Sequence, residues 1–282
     1  MTSGLTQLRR QTDQWGTSPD LDFVWVRQCM PRDLFLLFYS RFFHMAPPIG
    51  KVDKNDPSYD AKHHCRKFEE ALNRVWSKLA DPGAWLSYDE QMVKSTARAN
   101  FFIMRFNPKK PIKHGIKGWC ICCPSGFCFV QYIDGGFLGD PQLRKYKDCP
   151  LGNTARTVLY VVLEACETFS SKIINSGVTF AMDNYFTSAA LLLSLATRDI
   201  FAVGTLRSNR VGLDGAEKLW KQEGEVVKDR GDMTLARSPS GLAVITWMDS
   251  QVVHLMSSKH IFEEDWQPME YRRRVPGQMG RC

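Results

Sequence analysis

Val178-Thr179-Phe180-Ala181-Met182-Asp183-Asn184-Tyr185-Phe186-Thr187-Ser188-Ala189 is the stretch from which the fold is read. A short apolar run ends on an aspartate, passes through a polar and aromatic turn, and reaches a serine before a second apolar run. The first run predicts a buried strand over 178–182. Ser188 is suited to cap a helix over 189–197. A further strand is expected over 201–206. Strand, helix and strand on short loops indicate an α/β sheet.

The pattern extends upstream. A helix is predicted over 154–169, with Val158, Val161, Val162, Ala165 and Phe169 on one face. Before it, 116–123 and 127–133 flank Pro124-Ser125-Gly126 and read as a β-hairpin with a three-residue loop. A strand over 85–92 carries Asp89, and 101–106 is a short extended piece. Phe68, Leu72, Val75, Trp76 and Leu79 recur at helical spacing and predict a helix over 67–79. Pro31 begins another that runs to about residue 41. Downstream of 207, short extended pieces at 225–228, 242–247 and 252–256 read as a small β-rich lobe. The expected division is an N-terminal helical region (1–83), a core (84–206), a β-rich insertion lobe (207–265) and a basic C-terminal tail (266–282).

Composition bounds the function. The chain has 282 residues, 44% apolar and 24% charged, which is ordinary globular usage. Lys plus Arg is 37 and Asp plus Glu 30, a net charge of +7 that suits a polyanionic partner. No apolar run approaches the roughly 18 residues of a membrane span, so no membrane partner is expected. The N-terminus lacks a signal-peptide core, which points to the cytosol or nucleus. There the nine cysteines stay mostly reduced.

Asp89 and Asp183 each stand in or just after an apolar strand. A carboxylate there is costly to bury unless it is paired or holds a cation, and hard oxygen donors suit Mg²⁺ or Mn²⁺. A strand-end aspartate also forms turns, and Asp183 can cap the turn towards Ser188. The residues alone leave both readings open.

Five motifs in order narrow the choice. Asp89-Glu90-Gln91-Met92, Pro108-Lys109-Lys110-Pro111-Ile112-Lys113-His114-Gly115-Ile116-Lys117, Met182-Asp183-Asn184-Tyr185-Phe186-Thr187-Ser188, Gly204-Thr205-Leu206-Arg207-Ser208-Asn209-Arg210 and Trp247-Met248-Asp249-Ser250-Gln251-Val252-Val253 resemble, in sequence, the signature segments of the piggyBac transposases and their domesticated relatives. The resemblance implies an RNase H-like α/β core, a metal site of three aspartates, cut-and-paste DNA transposition and an insertion domain in the lobe. Carried over by position, Asp89 and Asp183 are the first and second catalytic, metal-binding carboxylates. The metal implied is Mg²⁺ or Mn²⁺, the location the nucleus, and the partner DNA. Members that act on DNA ends resemble dimers, so a homodimer is in view; no small-molecule substrate is expected. Arg98, Lys109, Lys110, Lys113, Lys117, Arg207 and Arg210 are the expected DNA contacts.

Three departures qualify the likeness. No Gly-Val-Asp segment for the third aspartate occurs in the sequence. The Cys/His-rich module of many members has no counterpart. Ala97 replaces the glycine expected before Arg98. Strand transfer by this chain alone is therefore not expected, and a DNA-binding derivative without catalysis, or a relic fragment, are the competing expectations. Cys120, Cys122, Cys123 and Cys128 lack the second ligand pair of a zinc site and read as strand thiols. His63-His64-Cys65 reads as the entry to a helix.

Overall fold

The computed structural model describes residues 15–16, 24–37, 53, 55–95, 103–108, 110–207 and 227–259. Three helices come first: α1 (Val24–Cys29), α2 (Arg32–Leu37) and α3 (Arg66–Leu79). Four strands follow: β1 (Trp85–Lys94), β2 (Met104–Phe106), β3 (His114–Cys122) and β4 (Cys128–Ile133). Then come α4 (Pro141–Arg144), α5 (Asn153–Leu163), α6 (Glu167–Ile173), β5 (Thr179–Met182), α7 (Ala189–Ala196) and β6 (Phe201–Leu206). β7 (Met233–Arg237), β8 (Ala243–Met248) and β9 (Val252–Ser257) complete the described elements.

β3 pairs antiparallel with β1 and β4, while β5 and β6 run parallel to β1 and to each other. The resulting order β4-β3-β1-β5-β6 is an RNase H-like core. Tyr88, Ile121, Val130, Tyr132, Phe180 and Ala202 are buried in it, together with α5 and α7 residues such as Val158, Val161, Leu191 and Leu195. The expected β3–β4 hairpin forms, and Gly126 turns it at φ 86°, a left-handed value at which a Cβ would be strained.

Two details differ from the sequence reading. The helix expected over 154–169 is two helices. The amides of Glu164 and Ala165 both donate to the Tyr160 carbonyl, at 2.8 and 2.9 Å, which ends the regular ladder. Cys166 is extended, and the chain restarts as α6 in a direction that buries Phe169 and Ile173. Beyond 207, β9 pairs antiparallel with β6, so β9, β8 and β7 of the β-rich segment prolong the core sheet. β7 was not anticipated, and of the extended piece expected at 225–228, residues 227 and 228 are not strand.

α3 packs in an unusual sense. Its buried residues are Glu69, Asn73 and Ser77, while Phe68, Val75 and Leu79 face outward. The reason is the free edge of β4. Asn73 donates to the Gln131 carbonyl (2.8 Å) and accepts from its amide (2.9 Å). Ser77 donates to the Phe129 carbonyl (3.1 Å), and the Ile133 amide donates to Glu69. Helix residues four apart rise about 6.0 Å, and strand residues two apart about 6.6 Å. The polar row therefore keeps step with residues 129, 131 and 133. It satisfies an edge that would otherwise be open to pairing.

The approach to α3 is fixed by buried charges. Lys62 is fully buried and lies 2.8 Å from Glu69 and 3.3 Å from Asp140. Arg66 bridges Asp140 (2.9 Å) and Asp60 (2.7 Å). Tyr132 donates its hydroxyl to Asp140, and the Lys62 ammonium sits 3.4 Å from the centre of the Tyr132 ring. Burial pulls the Asp140 carboxyl upward, but Lys62, Arg66 and Tyr132 outweigh it and hold the group below its ordinary range. For Glu69 burial dominates and the carboxyl is raised.

Candidate metal and nucleic-acid site

The site forms where the middle of β1 lies beside the end of β5. Leu86 and Tyr88 of β1 point into the core, so alternation turns Asp89 to the opposite, exposed face. The parallel pairing of β1 with β5 closes on Tyr88 opposite Met182. Asp89, within β1, and Asp183, just past β5, are the next residues along the two segments, and neighbouring strands lie roughly 4.8 Å apart. Both acids are solvent-exposed.

The segment after β5 is set by local bonds. One Asp183 carboxylate oxygen accepts from the Tyr185 amide (2.9 Å). Its carbonyl accepts from the Thr187 hydroxyl (2.8 Å) and from the amides of Phe186 and Thr187. Asp183 is thus a turn former on an exposed position. One oxygen of Asp89 accepts from the Glu90 amide (2.7 Å). Phe186 anchors the turn edge-on against Tyr88, ring centres 4.8 Å apart. Thr187 is buried against Gly204 of β6, where a Cβ would lie 2.1 Å from the Thr187 hydroxyl oxygen and 2.5 Å from the Met182 carbonyl oxygen. The Thr and the Gly of two separate motifs are therefore one contact. Ser188 stands at the N-cap of α7 in extended conformation, but its hydroxyl makes no capping bond, contrary to expectation.

Basic side chains gather on this end of the sheet. Glu90, on the strand face opposite Asp89, accepts from Lys110 (2.8 Å) and Lys117 (2.7 Å). Burial raises the Glu90 carboxyl, yet the two ammonium groups outweigh it and hold it below its usual range. The Lys110 ammonium is raised, first by its bond to Glu90, with Asp89 and Asp183 adding attraction. Lys110 therefore feels all three acids. Lys117 also lies 5.0 Å from the centre of the Tyr185 ring, and the Arg207 guanidinium 5.6 Å from it. Arg207 donates to the Asn184 side chain (3.1 Å). Lys113 is exposed on the loop before β3. Arg98, Lys109 and Arg210 lie outside the described residues.

Glu90, Asn184 and Tyr185 are organising residues that the sequence reading did not single out. A signal existed for Glu90: Met92 pairs with Lys117 and Glu90 with Trp119, so Glu90 and Lys117 are diagonal neighbours on one face. Of the strand thiols, Cys120 stands directly across from Asp89 on β3. Cys120 contacts Gln91 (3.3 Å), and Cys123 contacts Ser125 (2.9 Å). Contact with Cys120, with burial added, pushes the Cys128 thiol up to about 12. Among the described residues no three His, Cys, Asp or Glu side chains are arranged to hold a metal ion.

This geometry can be set beside known proteins. The family described as Transposase IS4 matches residues 1–278. The chain belongs to that family. Within it, the chain is piggyBac-like. It is 28% identical over 265 residues to human PiggyBac transposable element-derived protein 3, an alignment covering 91% of this chain and 40% of that protein. It is equally similar to the human Chimeric ERCC6-PGBD3 protein, covering 91% of this chain and 22% of the relative. A solved structure, the cryo-EM structure of piggyBac transposase synaptic complex with hairpin DNA, matches with a TM-score of 0.65 at 22% identity, over 96% of this chain and 51% of that one. The shared fold is the RNase H-like core. The chain spans less than half the length of these two relatives and about half that of the solved chain.

Proposed function

We propose that this transposase-derived domain binds DNA across the end of the sheet where Asp89 and Asp183 emerge, and that these two carboxylates hold a divalent cation, Mg²⁺ or Mn²⁺. The observation that carries the reading is their exposed placement at neighbouring positions of β1 and the end of β5, near Lys110, Lys117 and Arg207. The donors fit: two exposed hard oxygens suit such an ion. When bound, the cation supplies charge stabilisation at a phosphodiester and activation of an attacking oxygen. The chain's own part is positional. Lys110, Lys117 and Arg207 supply positive charge to backbone phosphates, and Tyr185 supports two of them.

A structural relative is a transposase in a synaptic complex with hairpin DNA, which supports a DNA ligand here. Such a ligand implies action in the nucleus. Two acids on this chain support cation-assisted binding; strand cutting is the reading for which a third acid is wanted.

The test is fluorescence anisotropy with a labelled duplex over a range of salt. Each phosphate contact adds roughly 0.9 to the slope of log affinity against log salt. Lys117→Ala with Arg207→Ala is expected to flatten the slope by about two contacts; an unchanged slope removes them from the interface. Supercoiled DNA with Mn²⁺ addresses cutting. Nicking by the unaltered protein but not by Asp183→Ala would assign catalysis to this site. Equal nicking by both would deny it.

A further inference from the structure

We propose that the outward face of α3 is the docking site for an amphipathic helix of another polypeptide, one whose outer flank is acidic. The face has the spacing of a helix seam. Phe68, Leu72, Val75 and Leu79 are separated by four, three and four residues, the a/d pattern by which one helix receives another. Phe68 is 40%, Val75 52% and Leu79 70% exposed. Such a stripe is normally the buried side of a helix. Here Glu69, Asn73 and Ser77 have taken the buried side by completing the β4 edge, so the seam is left facing solvent.

The seam borders a groove. A cavity of about 200 Å³ lies between α3 and the open face of the sheet, with Phe68, Leu72 and Trp76 on one wall and Val93, Ile116 and Ile133 on the other. A helix laid along the seam would place one apolar edge in this groove. Its other edge would pass the basic flank of α3, where Lys67, Arg74 and Lys78 recur at spacings of seven and four and are all exposed.

Charge decides between occupants. The exposed charged residues of α3 are Lys67, Arg74 and Lys78 against Glu70, or 3 − 1 = +2. A second copy packed antiparallel on the same seam would set +2 against +2. A partner helix with Glu or Asp on its outer flank replaces that repulsion with attraction, in the manner of flanking charges that choose coiled-coil partners.

The probe is a fluorescent, hydrocarbon-stapled 14-residue helix with Leu at the seam positions and Glu on the flanks, compared with the same helix carrying Lys. Anisotropy is expected to show binding of the Glu form at least tenfold tighter than the Lys form. Val75→Ser with Leu79→Ser, both exposed positions, is expected to reduce binding at least tenfold with an unchanged urea midpoint. Lys67→Glu with Lys78→Glu leaves the seam intact and is expected to invert the preference between the two probes. Binding of neither probe, equal binding of both, or a preference that survives the charge reversal would overturn the proposal. So would a dimer in sedimentation velocity that Val75→Ser with Leu79→Ser dissolves, since the seam would then belong to a second copy.

Discussion

Two groups of carboxylates stand in this molecule under opposite conditions. Asp140 and Glu69 are buried: Asp140 is held by Lys62, Arg66, Tyr132 and the Gln142 amide, and Glu69 by Lys62 and the Ile133 amide. Asp89 and Asp183 are exposed, and the hydrogen bonds to their carboxylates come from amides within two residues. The first group ties the segment before α3 to the core. The second, among the described residues, bonds only within its own local segment. Burial with full partnership marks an acid that serves structure; exposure at neighbouring positions of the sheet with incomplete partnership marks one that can serve chemistry.

The largest expected effect tests the buried side. Lys62→Met leaves Asp140 and Glu69 without their shared cation, and breaking a buried pair costs about 3–5 kcal/mol. Urea unfolding measures it; a loss below about 1 kcal/mol would mean that the network is not buried as a unit. The same comparison can be sharpened with acid. Asp140 is depressed in the folded state, so its contribution is complete above its unfolded value of about 3.9 and is lost as pH falls through the lower folded value. Glu69, being raised, works in the opposite sense and gains stability as pH falls. Asp140→Asn is therefore expected to be less stable at pH 6 and to lose less of its urea midpoint than the unaltered protein between pH 4 and pH 2.5. Parallel losses would place the acid sensitivity elsewhere.

A steric contact comes next. Gly204→Ala drives a Cβ into Thr187 and the Met182 carbonyl, an overpacking expected to cost about 1–3 kcal/mol. Adding Thr187→Ala should recover only part of this in urea unfolding, because the carbonyl clash remains. On the exposed side the effects are smaller. Glu90→Gln removes the acid that engages Lys110 and Lys117, and low-salt DNA affinity is expected to rise about two- to fivefold, the scale of a surface ion pair. Anisotropy measures the change, and a fall in affinity would make Glu90 an organiser of the interface instead. Smallest of all, Asp89→Asn should move the unfolding free energy by no more than about 0.5 kcal/mol. A larger loss would erase the contrast between the two groups of acids.

Much of the fold is legible because it rests on local periodicity. The alternation in β1, the Pro-Ser-Gly hairpin and the helix–strand order around Asp183 all reflect side chains reporting one face each. The α5–α6 break was not legible, since apolar residues continue through 158–169 and the interruption depends on where Phe169 must reach. Nor was the continuity of β6 with β9, since pairing across about 50 residues leaves no mark in local pattern. At the site, motif order singled out Asp89 and Asp183, but Glu90 and Tyr185 acquire their roles only through neighbours on other strands.

The sequence by itself determined the element types along most of the chain and the family likeness, because both are written in short-range spacing and in motif order. Only the tertiary structure decided which face of α3 is buried. Helical spacing reports that two faces differ, one apolar and one polar. It does not report that the unpaired backbone of β4 stands alongside, and that its amides and carbonyls claim the polar row for the inside.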